Sequence, residues 1–348
     1  MNYLNSFGRL FRVSVYGESH GDSLGVLLDG VKPGIKLSVD SFKEAIERRK
    51  PKTYGTTRVE DDTIIIKSGV FNNYTTGAPI LLEFKNNNIN SKDYSNLSYH
   101  FRPGHSDFAA NNKYGGFNDY RGGGMFSGRL TLGVVAAGVV ADKIVHFDIN
   151  SEIINLGGET DKAKFTPLLE IIANSNDSIG GVVRITIKNP PIGLGEPFFD
   201  SVESLLSHAL FSVGGVKGVS FGAGFNGVSL RGSEFNDLLL DIKGTTKTNN
   251  NGGINGGISN GNDIVINVMV RPTPSIGINQ NTFNFKTNKL EDLKIEGRHD
   301  KAIILRIPVV LESMCKIVLT DLYLLNEVLY NGTRWSISKV FNMSKPFL

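Results

Sequence analysis

The 348-residue chain is 40% hydrophobic and 20% charged, the balance of a globular protein with length enough for a sizeable core. Its net charge of +3 is too small to argue for nucleic acid, and no run approaches the ~18 apolar residues that a membrane span needs. The single cysteine, Cys315, excludes an internal disulfide or a cysteine-ligated metal. Arg9 and Arg12 interrupt the N-terminal apolar residues, so no signal peptide is expected and a cytoplasmic protein is.

Alternation predicts strands over 9–16 and 24–31, with G-E-S-H-G (17–21) turning between them. A helix is expected from Ser38 or Ser41, the latter with Glu44 as a capping box. Phe42, Ala45 and Ile46 form its apolar face, and Pro51 ends it. Arg48 and Arg49 fall in its last turn, where cations suit the helix dipole as well as they suit a ligand. Strands are expected at 63–71 and 79–84, and a polar loop at 85–100. Residues 127–146 predict a helix apolar nearly all round, hence buried. Further strands are expected near 152–156, 181–188, 216–221, 225–231 and 263–270, and helices near 200–212 and 308–328, the last containing Cys315. Residues 249–261 have the composition of a linker. Their paired glycines, spaced four apart around Ile254 and Ile258, suit backbone close to a ligand equally well. No composition break divides the chain, so one α+β domain over 1–348 is expected.

Arginine is scarce, 14 against 23 lysines, yet Arg48, Arg49, Arg102, Arg121, Arg129, Arg271 and Arg298 sit in segments marked by Gly, Pro or His. Arginine kept at such places in a lysine-rich chain suggests bidentate recognition of phosphate or carboxylate. Five segments carry the pattern. Gly17–Gly21 exposes Ser19 and His20 between glycines, and Arg102–Asp107 reads R-P-G-H-S-D with His105 at its centre. Arg121–Arg129 places three glycines before the buried helix, a ready anion site but no P-loop, since no G-K-[ST] follows. Arg271–Ile276, R-P-T-P-S-I, follows a strand, and Gly297–Asp300 reads G-R-H-D.

In order and spacing these segments resemble the signatures of the chorismate synthase family, over nearly the whole chain from about Gly8 to Leu325. The resemblance implies a β-α-β sandwich assembled as a homotetramer. It implies the anti 1,4-elimination of phosphate from 5-enolpyruvylshikimate 3-phosphate to give chorismate, with reduced FMN required although no net redox occurs. The hard step would belong to the cofactor, which the protein positions and shields. Carried over by motif, His20 and His105 would be the two acid–base histidines, one for the departing phosphate and one for the reduced flavin, and Asp300 a proton relay near flavin N5. Ser19, Arg49, Arg102, Arg129 and Arg298 would touch substrate, and Arg49 is also associated with NADP. Flavin contacts would come from Met125, Phe126, Ser127, Gly214, Gly215, Gly256, Arg271, Pro272, Thr273, Pro274, Ser275 and Arg298, which makes 249–261 a flavin-side loop. NADPH would serve only as a source of reducing equivalents, through an external flavin reductant.

Several positions depart from the family pattern. Met125-Phe126-Ser127-Gly128-Arg129-Leu130-Thr131 stands where Arg-Ser-Ser-Ala-Arg-Glu-Thr is usual. An arginine expected just after Pro51 is lost near Tyr54, with Arg58 a partial substitute. Gly214-Gly215 replaces Asn-Ala, and Lys301 replaces the proline after G-R-H-D. Two other readings of the same residues are a metal-dependent hydrolase using His20, His105, His299, Asp107 and Asp300, and a non-catalytic binder of acidic ligands or RNA. Paired ligand spacing is lacking for the first, and the low charge argues against the second.

Overall fold

The computed structural model describes residues 5–51, 53–55, 61–87, 97–295 and 300–330. The chain opens with β1 (Ser6–Phe7), β2 (Arg12–Gly17) and β3 (Ser23–Asp29). It continues through α1 (Lys43–Arg49), β4 (Ile64–Ile66), the short hairpin of β5 (Val70–Phe71) and β6 (Tyr74–Thr75), and β7 (Ile80–Lys85). Next come α2 (Asp107–Lys113), α3 (Thr131–Ile144), β8 (Ile149–Leu156), α4 (Phe165–Ser175), β9 (Gly181–Ile187), α5 (Val202–Phe211), β10 (Val216–Phe221) and the one-turn α6 (Gly232–Phe235). Two hairpins, β11 (Ile254–Asn255) with β12 (Ile258–Ser259) and β14 (Gln280–Asn284) with β15 (Lys289–Leu293), flank β13 (Ile264–Val270), and α7 (Pro308–Tyr330) follows.

The strands form two antiparallel sheets, β1-β2-β3-β7-β4 and β10-β13-β9-β8. Alternation decides which face of each is buried. Leu24, Val26 and Leu28 of β3 and Ile80, Leu82 and Phe84 of β7 point inward from the first sheet. Val183, Ile185 and Ile187 of β9 and Ile264, Ile266, Val268 and Val270 of β13 point inward from the second. Between the sheets lie α3 and α7, α3 on β3 and α7 on β8 and β9, in one continuous apolar core. This is the α+β sandwich that the sequence implied.

The small residues of α3 account for its central place. A Cβ on Gly133 would lie 2.8 Å from the Gly25 carbonyl oxygen of β3, and one on Gly138 would lie 2.7 Å from Ser313 Cα of α7. Glycine therefore lets this helix approach a sheet on one side and a helix on the other. Polar ties fix the layers. Arg48 reaches across to the buried Glu312 of α7 (2.7 Å), so this arginine serves packing and faces away from the cavity described below. Asp321 of α7 accepts the backbone N–H groups of Arg9, Leu10 and Phe11 at 2.8–3.0 Å, anchoring the turn before β2.

Some expectations need correction. Residues 225–231 are no strand: the left-handed Gly222 and Gly224 break the extended run, a 3-10 turn takes Gly224–Ser229, and Phe225 and Val228 stand in solvent. The strand expected at 63–71 is cut by Gly69, whose φ of +80° carries the chain from β4 into the β5–β6 hairpin. Helices α2 and α4 and the β14–β15 hairpin were not foreseen. Ser38, not Ser41, heads the first helical segment: its N–H donates to Ser41 Oγ (3.2 Å), and a 3-10 turn precedes α1. Lys301, in place of the family's proline, sends its ammonium to the Ala173 carbonyl near the C-terminal end of α4.

Candidate active site

A cavity of about 1090 Å³ opens where β2, α1, α3, α5, α7 and the loop after β13 converge. Its polar side carries Arg49, Arg102, His105, Arg271, Asp300 and Arg306. Its apolar side carries Val13, Val15, Val134, Val310 and Met314.

The triple glycine organises the polar side. Gly122, Gly123 and Gly124 all have positive φ, which lets the backbone turn tightly without a Cβ penalty. A Cβ on Gly122 would sit 2.3 Å from the His20 ring, and one on Gly123 would lie 3.5 Å from His105 Cε1 and Nε2. Consecutive residues of one turn therefore rest against the two histidines. The Ser19 N–H donates to the Gly124 carbonyl (3.1 Å), and Ser19 Oγ is buried with no hydrogen-bond partner among the described residues.

His105 is held by Asp107 and Arg102. Arg102 clamps Asp107 through Nε (2.7 Å) and Nη2 (2.8 Å), and its Nη1 donates to Ser275 Oγ (3.0 Å). His105 Nδ1 lies 2.5 Å from Asp107 Oδ1 and 3.1 Å from Arg102 Nη2. Both contacts cannot be hydrogen bonds to one ring nitrogen of fixed protonation. The nearer carboxylate is the better partner, so Nδ1–H donates to Asp107 and Nε2 faces Gly123. Burial pushes the His105 pKa below its usual 6.5, and the Arg102 and Arg271 charges add to that against the pull of Asp107. Burial alone would raise the Asp107 carboxyl, but the hydrogen bonds from Arg102 and His105 hold it well below the usual carboxylate range.

The loop after β13 faces this cluster. The Arg271 N–H donates to the Gly215 carbonyl (2.9 Å), which sets Gly214-Gly215 beside it. A Cβ on Gly104 would lie 3.3 Å from Arg271 Nη1 and 3.7 Å from Pro274. Thr273 Oγ1 donates to the Asp300 backbone carbonyl (2.5 Å), and Asp300 Oδ2 pairs with Arg306 Nη2 (2.5 Å). Arg49 is buried, donating to Thr131 Oγ1 (3.1 Å) and the Gly128 carbonyl (2.8 Å). Its burial, with the nearby Arg306 charge, lowers its pKa to about 9 although Asp62 opposes this. Burial is the main cause of that depression, and the charges of Arg306 and Arg129 add to it.

Met125, Phe126 and Ser127 also line the cavity, the first two half-exposed, as do Gly214, Gly215 and Arg271–Ser275. Two arginines do otherwise. Arg121 is tied to Asp119 (2.8 and 2.9 Å) and does not line the cavity. Arg129 is buried behind the wall, donating to Asn86 Oδ1 (2.5 Å), Asp62 Oδ1 (2.8 Å) and the Lys85 carbonyl (3.2 Å). Gly256 turns the β11–β12 hairpin, beside the first residues of β13, whereas the cavity follows the last. Arg298, His299 and Arg58 lie outside the described residues. Sequence reasoning missed Arg306, whose setting L-R-I-P carries no glycine or histidine signal, and His208 of α5, a cavity residue edge-on to Phe7 (5.6 Å). Among the described residues no three His, Cys, Asp or Glu side chains gather as metal ligands, and no helix is long and apolar enough to cross a membrane.

The family model for chorismate synthase matches residues 11–324, which takes in all of the cavity lining except Asn5, Ser6 and Phe7. The chain belongs to the chorismate synthase family. It is 51% identical over 327 residues to a chorismate synthase of Chitinophaga pinensis, covering 93% of this chain and 98% of that one. It is 40% identical to a chorismate synthase of Pyrococcus abyssi, covering 92% and 98%. A solved chorismate synthase crystal structure superposes with a TM-score of 0.71 at 25% identity, covering 92% of this chain and 93% of the other. The activity that goes with this membership is that of a carbon–oxygen lyase of aromatic amino-acid biosynthesis, forming chorismate from 5-enolpyruvylshikimate 3-phosphate. It takes the place of the hydrolase and binding-protein readings.

Proposed function

We propose that this cavity carries out the elimination with reduced FMN bound beside the substrate, and that His105 on its wall and His20, which packs on the lining residue Gly122 without itself lining the cavity, divide the acid–base work. The observation that carries the proposal is the triple-glycine turn, with His20 and Ser19 packed on Gly122 and His105 beside Gly123. The residues fit a flavin. Gly214 has no atom within 4 Å of a Cβ position, Arg271 Nε is buried without a partner among the described residues, and Pro272 and Pro274 stiffen the loop between them. Arg271–Ser275, Gly214-Gly215 and Met125–Ser127 would hold the cofactor, and in place of the family's Arg-Ser, Met125-Phe126 would grip it by apolar contact.

In the reaction the C–O bond to phosphate breaks at one end of the allylic system and a C–H bond is lost at the other. Reduced flavin, when bound, supplies electron density to the breaking bond and recovers it with the hydrogen. We assign His20 to the phosphate, since it packs on Gly122 beside the Ser19 hydroxyl, which has no hydrogen-bond partner among the described residues, and protonation there makes phosphate a better leaving group. We assign His105 to the flavin side, because its loop meets Arg271, Pro274 and Ser275. Burial keeps its ring neutral, and with Nδ1–H given to Asp107 its Nε2 is left to accept a hydrogen bond from the flavin, with no net proton taken. Asp300, paired with Arg306 Nη2 (2.5 Å), would take up the one proton that the C–H bond finally gives up, which balances the one that His20 gives to the phosphate. Arg49, Arg102 and Arg306 supply the charge that binds the substrate's phosphate and carboxylates. Arg49 is occupied on the inner wall, which favours a substrate role over NADP and an external reductant for the flavin. We further propose a single-domain, cytoplasmic homotetramer.

The test mixes the purified protein anaerobically with 5-enolpyruvylshikimate 3-phosphate and chemically reduced FMN. Chorismate and phosphate are expected in equal amounts, with His20→Ala and His105→Ala each slower by about 10²–10⁴-fold. Turnover that ignores both substitutions would overturn the assignment.

A further inference from the structure

The turn that bears Ser19 and His20 joins β2 to β3, and a five-residue turn has no regular geometry to fix it. What fixes it is Asn86, the first residue after β7. Asn86 is buried, does not line the cavity, and sits in a run of three asparagines that the sequence presents as a polar loop. Its Nδ2 donates to the Glu18 carbonyl (3.0 Å) and to the Gly21 carbonyl (2.7 Å), so one amide brackets the Ser19-His20 pair from both sides. Its backbone N–H donates to the Asp22 carbonyl (3.1 Å). Its Oδ1 accepts from Arg129 Nε (2.5 Å), and Arg129 Nη1 is in turn held by Asp62 (2.8 Å).

We propose that Asn86 is a positioning residue for His20: it sets the imidazole and the Ser19 hydroxyl at the substrate, backed by Arg129 and Asp62. Only a side-chain amide of this length offers two N–H donors and an acceptor at once, so each of its polar atoms is specified. Aspartate would satisfy Arg129 but would face two carbonyls with an oxygen. Alanine would leave two carbonyls and one guanidinium N–H without this partner. Gly122 also packs on the His20 ring, so the amide bracket and the glycine turn both bear on this histidine. Arg129, carried over from the family as a substrate contact, acts here through Asn86.

The inference rests on the reading that His20 serves the phosphate, and the experiment separates the two. In the full-length protein, Asn86→Asp, His20→Ala and the double variant are compared for kcat and KM with saturating reduced FMN. The His20 imidazole titration is followed by NMR, and unfolding temperature is recorded alongside. Asn86→Asp is expected to lower kcat by about 10²-fold, because displacing a reacting group by about 1 Å costs that much, while KM changes by less than about threefold. The His20 titration should shift. In the His20→Ala background the same change should cost less than about threefold, since the two act as one unit. Multiplicative losses, or an unmoved His20 titration in a folded Asn86→Asp, would overturn the proposal. A lower unfolding temperature with kcat intact would overturn it too. If His20→Ala alone leaves kcat intact, the phosphate role of His20 fails, and a shifted titration still supports the bracket. Should Asn86→Asp not fold, Asn86→Ser, which keeps one donor, takes the same measurements.

Discussion

Gly122→Ala tests the packing of the glycine turn on His20. The new Cβ would lie 2.3 and 2.4 Å from the imidazole Cε1 and Nδ1 and 2.8 Å from Ser19 Oγ, and both belong to a turn held by Asn86. Ordinary contacts between such atoms are about 3.5–4.0 Å, so ring and turn must separate by about 1 Å or more. A displacement of that size at a reacting group lowers kcat by about 100-fold. The φ of +56° adds backbone strain of about 1–2 kcal/mol for a residue with a Cβ. At about 2–4 °C per kcal/mol, that lowers the unfolding temperature by roughly 2–8 °C. Gly34→Ala is the control: its φ of +86° imposes the same kind of strain, nothing lies within 4 Å of its Cβ, and it does not line the cavity. Anaerobic turnover with saturating reduced FMN and a thermal melt are measured for both. Similar melting losses are expected, with the fall in kcat confined to Gly122→Ala. Equal kcat in the two variants would refute the packing of the turn on His20.

Restoring the family residues with Met125→Arg and Phe126→Ser should change FMN affinity by about tenfold or more, one charge-assisted contact being worth about 1.5–3 kcal/mol. Turnover at saturating flavin should change less, and flavin titration against steady-state kcat separates the two. Asp107→Asn removes the contacts that raise the His105 pKa, so the His105 titration should fall further below 6.5 in an NMR titration. The sign of the accompanying stability change follows. His105 binds its proton less readily folded than unfolded, so its contribution is lost as pH falls from about 6.5 toward the folded value. Asp321→Asn halves the acceptors available to the N–H groups of Arg9, Leu10 and Phe11, and should cost about 3 kcal/mol in unfolding experiments with little effect on kcat.

Much of this was legible because period and punctuation are local. The alternation of 181–188 and 263–270 and the small apolar residues within 127–146 announce the inner face of the second sheet and the buried helix in sequence alone. Of the marked arginines and histidines, Arg49, Arg102, Arg271 and His105 line the cavity. Neighbours distant in sequence were not legible. Arg102 and Arg129 look alike as arginines beside glycines, yet one clamps Asp107 at the cavity and the other is spent on Asp62 and Asn86 behind it. Arg306 and Asn86 carry no local mark, and only their partners, Asp300 and the Glu18 and Gly21 carbonyls, distinguish them. The run at 225–231 alternates like a strand, but flanking left-handed glycines and the lack of a face to bury it decided otherwise.

The most direct test of the account is a crystal structure with FMN and 5-enolpyruvylshikimate 3-phosphate both bound. The substrate phosphate is expected within hydrogen-bond reach of His20 and Ser19, and the flavin against His105, Arg271–Ser275 and Gly214-Gly215. A phosphate bound instead by His105, or a flavin that leaves the Arg271–Ser275 loop untouched, would contradict it.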